Sequence, residues 1–167
     1  MLAELRELVG VLRSGDRSPA GTTDTADNAD DADDAGLASL VDDSRAVGLP
    51  VRLAEDGDPA IVAPTVRRTL FRVVQESLTN VHKHAPGADA TVSVQYGRHG
   101  VRATVFNTAP RLPPDTDLTA AGGGSGLDGL RHRVEVVGGT LTAGSTSDGG
   151  FAVRATLPVR VPTAVRR

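Results

Sequence analysis

Residues 75–85 read Gln75-Glu76-Ser77-Leu78-Thr79-Asn80-Val81-His82-Lys83-His84-Ala85, and their spacing decides the fold. Upstream and within it, Val66, Leu70, Val73, Val74, Leu78 and Val81 recur at three- and four-residue intervals, so 64–85 is expected as one long amphipathic helix. Pro64 suits the first turn, where a missing N–H costs nothing, and Pro86-Gly87 stops the helix. On it Glu76, Asn80, Lys83 and His84 fall at i, i+4, i+7 and i+8, so a carboxylate, an amide and two nitrogen donors share an edge beside the apolar stripe. A carboxylate can position a proton, an amide oxygen can ligate Mg²⁺ without adding charge, and Lys or His can meet phosphate oxygens. The combination points to a nucleotide-phosphate site.

Its complement lies downstream. Residues 122–130 read Gly-Gly-Gly-Ser-Gly-Leu-Asp-Gly-Leu, and Leu127, Leu130, Val134 and Val137 then repeat at helical spacing. Glycines running into a helix start form an anion cradle, because unpaired N–H groups and the positive end of the dipole face the ligand. A glycine run alone also describes a flexible linker. Paired with the polar-edged helix upstream, it reads as the other wall of the same site.

Outward from these two segments, 37–47 reads as a helix ending at Gly48 and 49–53 as a first strand. Residues 91–96 and 101–106 read as strands joined by a turn at Gly97-Arg98-His99-Gly100, with Asn107 ending the second. Residues 108–125, rich in Pro, Gly, Thr and Asp, form a long functional or disordered loop. The helix at 127–137 then gives way, through Gly138-Gly139, to a strand at 140–143. A turn at Asp148-Gly149-Gly150 leads to a last strand at 151–157. The expected architecture is a mixed, mostly antiparallel sheet with helices on one face, a two-layer α/β sandwich.

Two segments precede this domain, expected over 36–160, and a tail of 161–167 follows it. Leu2, Leu5, Val9 and Leu12 give residues 1–15 an amphipathic helical pattern. Residues 16–35 carry Asp24, Asp27, Asp30, Asp31, Asp33 and Asp34 among Ser, Thr, Ala and Gly, a composition that buries little and is expected to be a disordered acidic linker.

Composition closes off several classes. The absence of cysteine excludes disulfides and thiolate metal sites. No apolar run approaches the roughly 18 residues of a membrane span, and no secretory leader is read, so a cytoplasmic location is expected. A net charge of −3 with 2% aromatic residues argues against nucleic-acid binding, which needs phosphate neutralisation and stacking surfaces. Lys83 is the only lysine, against seventeen arginines. His82 lies off the polar edge, His99 falls in a turn, and His132 sits between Arg131 and Arg133 on a polar helix face. No histidine cluster has zinc spacing, and no serine is paired with a base.

The motifs ESLTNVHKHA (76–85), GSGLDGLRHRVEVVGGTL (124–141) and GGFAVRATLP (149–158) together resemble the ATP-binding domain of sensor histidine kinases of the nitrate/nitrite type, over roughly 49–159. The resemblance implies the Bergerat fold of the topoisomerase, chaperone and mismatch-repair ATPases, with ATP and Mg²⁺ as ligands. It implies that Glu76 is the catalytic carboxylate, that Asn80 holds Mg²⁺, and that Lys83 and His84 sit at phosphates or ribose. Gly124, Gly126, Leu127 and Gly129 become the glycine-box positions, and 108–125 the ATP lid. It further implies that 1–15 is the tail of a dimerisation and phosphoacceptor hairpin. That hairpin's acceptor His is matched by none of the four histidines here, and a response regulator would be an indirect partner. Relatives carry Asp-x-Gly-x-Gly after the central strand, where this chain reads Asn107-Thr108-Ala109-Pro110-Arg111; the Asn107 carbonyl can still accept the adenine amino group. Phe151 stands where many relatives have Thr. Two other readings stay open: an anti-sigma-factor Ser/Thr kinase of the same superfamily, and a non-catalytic interaction module that keeps the fold with a degenerate nucleotide site.

Overall fold

A computed structural model of the chain describes residues 36–113 and 125–162. The expected N-terminal helix, the acidic linker, residues 114–124 of the long loop and residues 163–167 lie outside the described residues.

Helix α1 (Gly36–Ala46) buries Leu37, Leu40 and Val41, one stripe at helical spacing. Gly48 turns the chain at φ +92°, a left-handed conformation open to glycine. Its N–H bonds to Arg45 O while the Leu49 N–H bonds to Ser44 O, which closes the helix. Strand β1 (Val51–Asp56) starts two residues later than expected and runs three residues further. Leu49 is buried, but its N–H is spent on α1, so it packs without joining the sheet.

A short 3₁₀ turn (Pro59–Ile61), capped by the Asp58 carboxylate on Ala60 N–H at 2.8 Å, leads into α2 (Pro64–His84). Pro64 occupies its first turn, and the buried stripe is Val66, Leu70, Val73, Val74, Ser77, Leu78 and Val81. Ser77, the polar member, gives its hydroxyl to Val73 O at 2.6 Å and so enters the core satisfied. His82, Lys83 and His84 occupy the last turn, where cations complement the helix dipole.

The hairpin of β2 (Ala90–Gly97) and β3 (Gly100–Asn107) follows, then α3 (Ser125–Val136), β4 (Thr140–Ser145) and β5 (Phe151–Leu157). The sheet order is β1-β2-β3-β5-β4. The β1–β2 pair, bridged by α2, is parallel, and the other pairs are antiparallel. The register places Val92, Val105 and Val153 in one row, with Val94 and Ala103 beside them; all are buried beneath the helices. The opposite face carries Arg52, Gln95, Arg102, Arg154 and Thr156, all exposed. This is the expected two-layer α/β sandwich, its core one cluster between the sheet and the three helices.

Because β3 and β5 are antiparallel, the sheet has two distinct ends. At one, Ala90, Asn107, Phe151 and Ser145 share a row on the helix-covered face. At the other, Val101 pairs with Leu157 and Tyr96 donates its hydroxyl to Glu55 at 2.8 Å. Burial, and next the Glu55 carboxylate, hold the Tyr96 phenol above its ordinary range.

Candidate nucleotide site

The buried stripe of α2 faces the sheet, which leaves Glu76, Asn80 and Lys83 half-buried along one border and His84 exposed at the helix end. The same border meets the start of α3. A Cβ built on Gly126 would lie 2.8 Å from Glu76 Oε1, so glycine at 126 lets the carboxylate lie against the first turn of α3. The structure therefore brings together two elements that sequence spacing could only list, fifty residues apart. Leu127 turns inward and packs on the core cluster, which fixes α3 beside α2. Gly129 is exposed, and a side chain there would meet open space. Gly124 lies outside the described residues.

Asn107 reaches the site from the sheet. It ends β3, is 5% exposed, and with Ser77 is one of two buried polar residues among those described. Its Nδ2 donates to Thr108 O at 2.8 Å, and among the described residues nothing donates to its Oδ1. Half-buried Phe151 is its cross-strand neighbour on the same face.

The segment 108–112 that follows β3 takes a definite path. Thr108 N–H bonds to Asp89 O at 3.0 Å, and Asp89 N–H bonds to Thr108 Oγ1 at 3.1 Å. Arg111 N–H and Leu112 N–H both bond to Pro86 O at 3.1 Å, and the Arg111 guanidinium pairs with Asp89 Oδ2 at 2.6 Å. Gly87, at φ +76°, allows the approach: a Cβ there would stand 3.2 Å from Arg111 Cβ and 3.3 Å from Leu112 Cγ. The loop therefore leaves β3 strapped over the turn between α2 and β2, an arrangement that needs no glycine at 109 or 111. From the sequence, Thr108 and Arg111 stood out only as part of a departure from the resemblance, and Asp89 did not stand out at all. The available signal was a hydroxyl, an acid and an arginine flanking the open end of a hairpin.

Of the histidines, His82 is half-buried against a small recess of about 140 Å³ that Gly48 and Gly87 also line, away from the polar border. His99 and His132 are exposed. Among the described residues no group of three His, Asp or Glu side chains could hold a metal by itself. The Asn80 amide and the Glu76 carboxylate would suit Mg²⁺, which usually takes one or two protein ligands together with substrate phosphates.

At this end of the sheet a buried amide side chain, a polar helix border and a glycine at the facing helix start come together. Residues 65–161 match the family described as histidine kinase-, DNA gyrase B-, and HSP90-like ATPase. The chain belongs to this family. It is 35% identical over 103 residues to the signal transduction histidine-protein kinase/phosphatase UhpB of Salmonella typhimurium, covering 62% of this chain and 19% of that protein. It is 30% identical over 120 residues to the sensor histidine kinase LnrJ of Bacillus subtilis, covering 71% and 28%. It is 31% identical over 94 residues to the oxygen sensor histidine kinase NreB of Staphylococcus carnosus, covering 56% and 26%. The chain thus spans less than a third of the length of each of these relatives. Among solved structures, the blue-light activated histidine kinase of Erythrobacter litoralis superposes with a TM-score of 0.56 at 22% identity, over 74% of this chain and 44% of that one. The catalytic domain of histidine kinase ThkA superposes at 0.52 and 16% identity, over 75% and 95%. The resemblance read from the three motifs and the fold it implied are both borne out.

Proposed function

We propose that this chain is the ATP- and Mg²⁺-binding catalytic part of a two-component sensor histidine kinase, giving the ATP γ-phosphate to a histidine on a dimerisation domain. The observation that carries the reading is the Glu76 carboxylate against Gly126 at the start of α3, with Asn80 one helical turn further along the same border. Phosphoryl transfer asks little covalent chemistry of a protein and much positioning. Glu76 orients or deprotonates the attacking imidazole, and the backbone amides at the start of α3 hold phosphate oxygens. Lys83 and His84 extend the border toward phosphates or ribose, Asn107 accepts from the adenine amino group, and Gly124, Leu127 and Gly129 belong to the glycine box. Asn80 is the metal-holding residue; Mg²⁺, when bound, neutralises charge on the β- and γ-phosphates.

In this reading residues 1–15 end the dimerisation hairpin, 16–35 are a linker, 36–160 are the catalytic domain and 161–167 a tail. A response regulator receives the phosphoryl group one step later. The domain works in the cytoplasm, and no described helix is long and apolar enough to cross a membrane.

Titration with a fluorescent ATP analogue, with and without Mg²⁺, tests the site. The parent binds, and Asn80→Ala loses the Mg²⁺-dependent part of the affinity while melting as the parent does. Equal Mg²⁺ dependence in both proteins would remove Asn80 as the metal-holding residue. Incubated with labelled ATP, the chain alone gains no phosphohistidine, yet it labels a separately supplied hairpin bearing the acceptor. Glu76→Gln slows that transfer by about 10²- to 10⁴-fold. Failure to bind any nucleotide would favour the non-catalytic interaction module.

A further inference from the structure

The side-chain amide of Asn107 is by itself ambiguous, able to present a donor or an acceptor. Here its donor half is engaged, because Nδ2 bonds to Thr108 O at 2.8 Å. A flip would set Oδ1 against that carbonyl, two acceptors face to face with no proton between them. The buried group therefore keeps Oδ1 available at the end of β3, and among the described residues nothing donates to it.

The Thr108 carbonyl is itself braced. Two bonds to a single residue hold Thr108: its N–H to Asp89 O at 3.0 Å and its Oγ1 from Asp89 N–H at 3.1 Å. Asp89 in turn is paired with Arg111, so both ends of the hairpin are tied across its mouth. An amide whose orientation is fixed this way reads a purine edge as a carboxylate would, as acceptor only.

We infer that Thr108 is a specificity-determining positioning residue, which locks the Asn107 amide with Oδ1 toward the ligand and so selects 6-aminopurine over 6-oxopurine nucleotides. The inference rests on the proposed nucleotide site and goes beyond it in assigning base discrimination to a residue that need not touch the base. A 6-amino group donates to Oδ1. A 6-oxo group would oppose it and leave a buried acceptor unpaired, a loss that sites built on hydrogen bonds turn into strong rejection.

The test compares ATP with inosine triphosphate, which differs in carrying a 6-oxo group in place of the 6-amino group, by Mg²⁺-dependent competition against a fluorescent ATP analogue on the full chain. The parent prefers ATP by about 10- to 100-fold. Thr108→Val, which keeps the shape and removes Oγ1, breaks one of the two bonds to Asp89, loosens the carbonyl and lowers the preference several-fold, while Thr108→Ser restores it. Asn107→Asp keeps the preference, and in that background Thr108→Val no longer changes it, because a carboxylate has no donor to misplace. Circular dichroism melts confirm that each variant is folded, and the parent's own ratio tests the idea without any substitution. A parent that binds ATP with a ratio near one overturns the inference and leaves the proposed function standing. So does a ratio that Thr108→Val does not move, or that it moves equally in the Asn107→Asp background. A parent that binds neither nucleotide overturns both.

Discussion

The two ends of the sheet are built on opposite terms. At the end marked by Leu157, almost every group is spent on the fold. Leu157 and Val101 are paired and essentially inaccessible, the Ala63 N–H is taken by Val159 O at 2.8 Å, and Pro162 lies over Gly138. At the end marked by Asn107, the side-chain oxygen of a buried residue takes no bond from the described residues, a carboxylate rests on a helix start, and Asn80, Lys83 and His84 line a polar border. The contrast teaches that one layer of helices serves two tasks by dividing their length: α2 enters the core at Val66 and reaches the polar border in its second half.

Four substitutions would break or sharpen that division, and they are taken in falling order of their effect on stability. Leu157→Ala removes a side chain that is 1% exposed and is expected to cost about 2–5 kcal/mol in urea unfolding. Nucleotide affinity, measured well below the new midpoint, stays as in the parent; a parallel loss of affinity would show that the two ends are coupled. Gly139→Ala acts at the same end by the opposite route. Its new methyl would stand 2.6 Å from Thr156 O and 2.9 Å from both Leu157 Cδ2 and Val134 Cγ1, so overpacking costs about 1–3 kcal/mol, again without change in binding.

The same replacement at the other end should separate stability from activity. Gly126→Ala meets only the tip of the flexible Glu76 side chain, which can move aside, and alanine favours a helix. Stability is expected to change by no more than about 1 kcal/mol, in the favourable direction. Transfer to a supplied acceptor hairpin falls by about 10- to 100-fold because the carboxylate is displaced. Full activity in Gly126→Ala would mean that contact with α3 does not set the position of Glu76.

Tyr96→Phe is the smallest change, roughly 1 kcal/mol or less for one partly exposed hydrogen bond. Its signature is in alkali. The folded state holds the phenol proton more tightly than the unfolded chain, whose ordinary value is 10.0. This contribution is therefore complete below that pH and declines as pH rises above it. Unfolding midpoints measured through that range should fall less steeply in the variant than in the parent.

The long helix and the last strand were legible because their limits are written locally. Pro64 and Pro86-Gly87 bracket α2, and Gly149-Gly150 with Pro158 bracket β5, whose expected and observed spans coincide. The start of β1 was not legible, because Leu49 has the apolar character of a strand residue and only its bond to Ser44 shows that it belongs to the preceding turn. The polar border of α2 followed from helical spacing, but its contact with Gly126 did not. Nor did the brace of Thr108 on Asp89, which closes nineteen residues of chain. Such contacts are set by how elements meet, and no local periodicity encodes them.

Lys83, half-buried in the last full turn of α2, is the only lysine in a chain that also lacks cysteine. Apart from the amino terminus, an acylating reagent therefore finds a single amine per molecule, at a known place on the polar border. One mass increment then reports on one position, with no need to engineer a reactive handle. Protection of that amine by Mg·ATP, read as a fall in labelled fraction, would measure occupancy of the border directly in the unaltered protein.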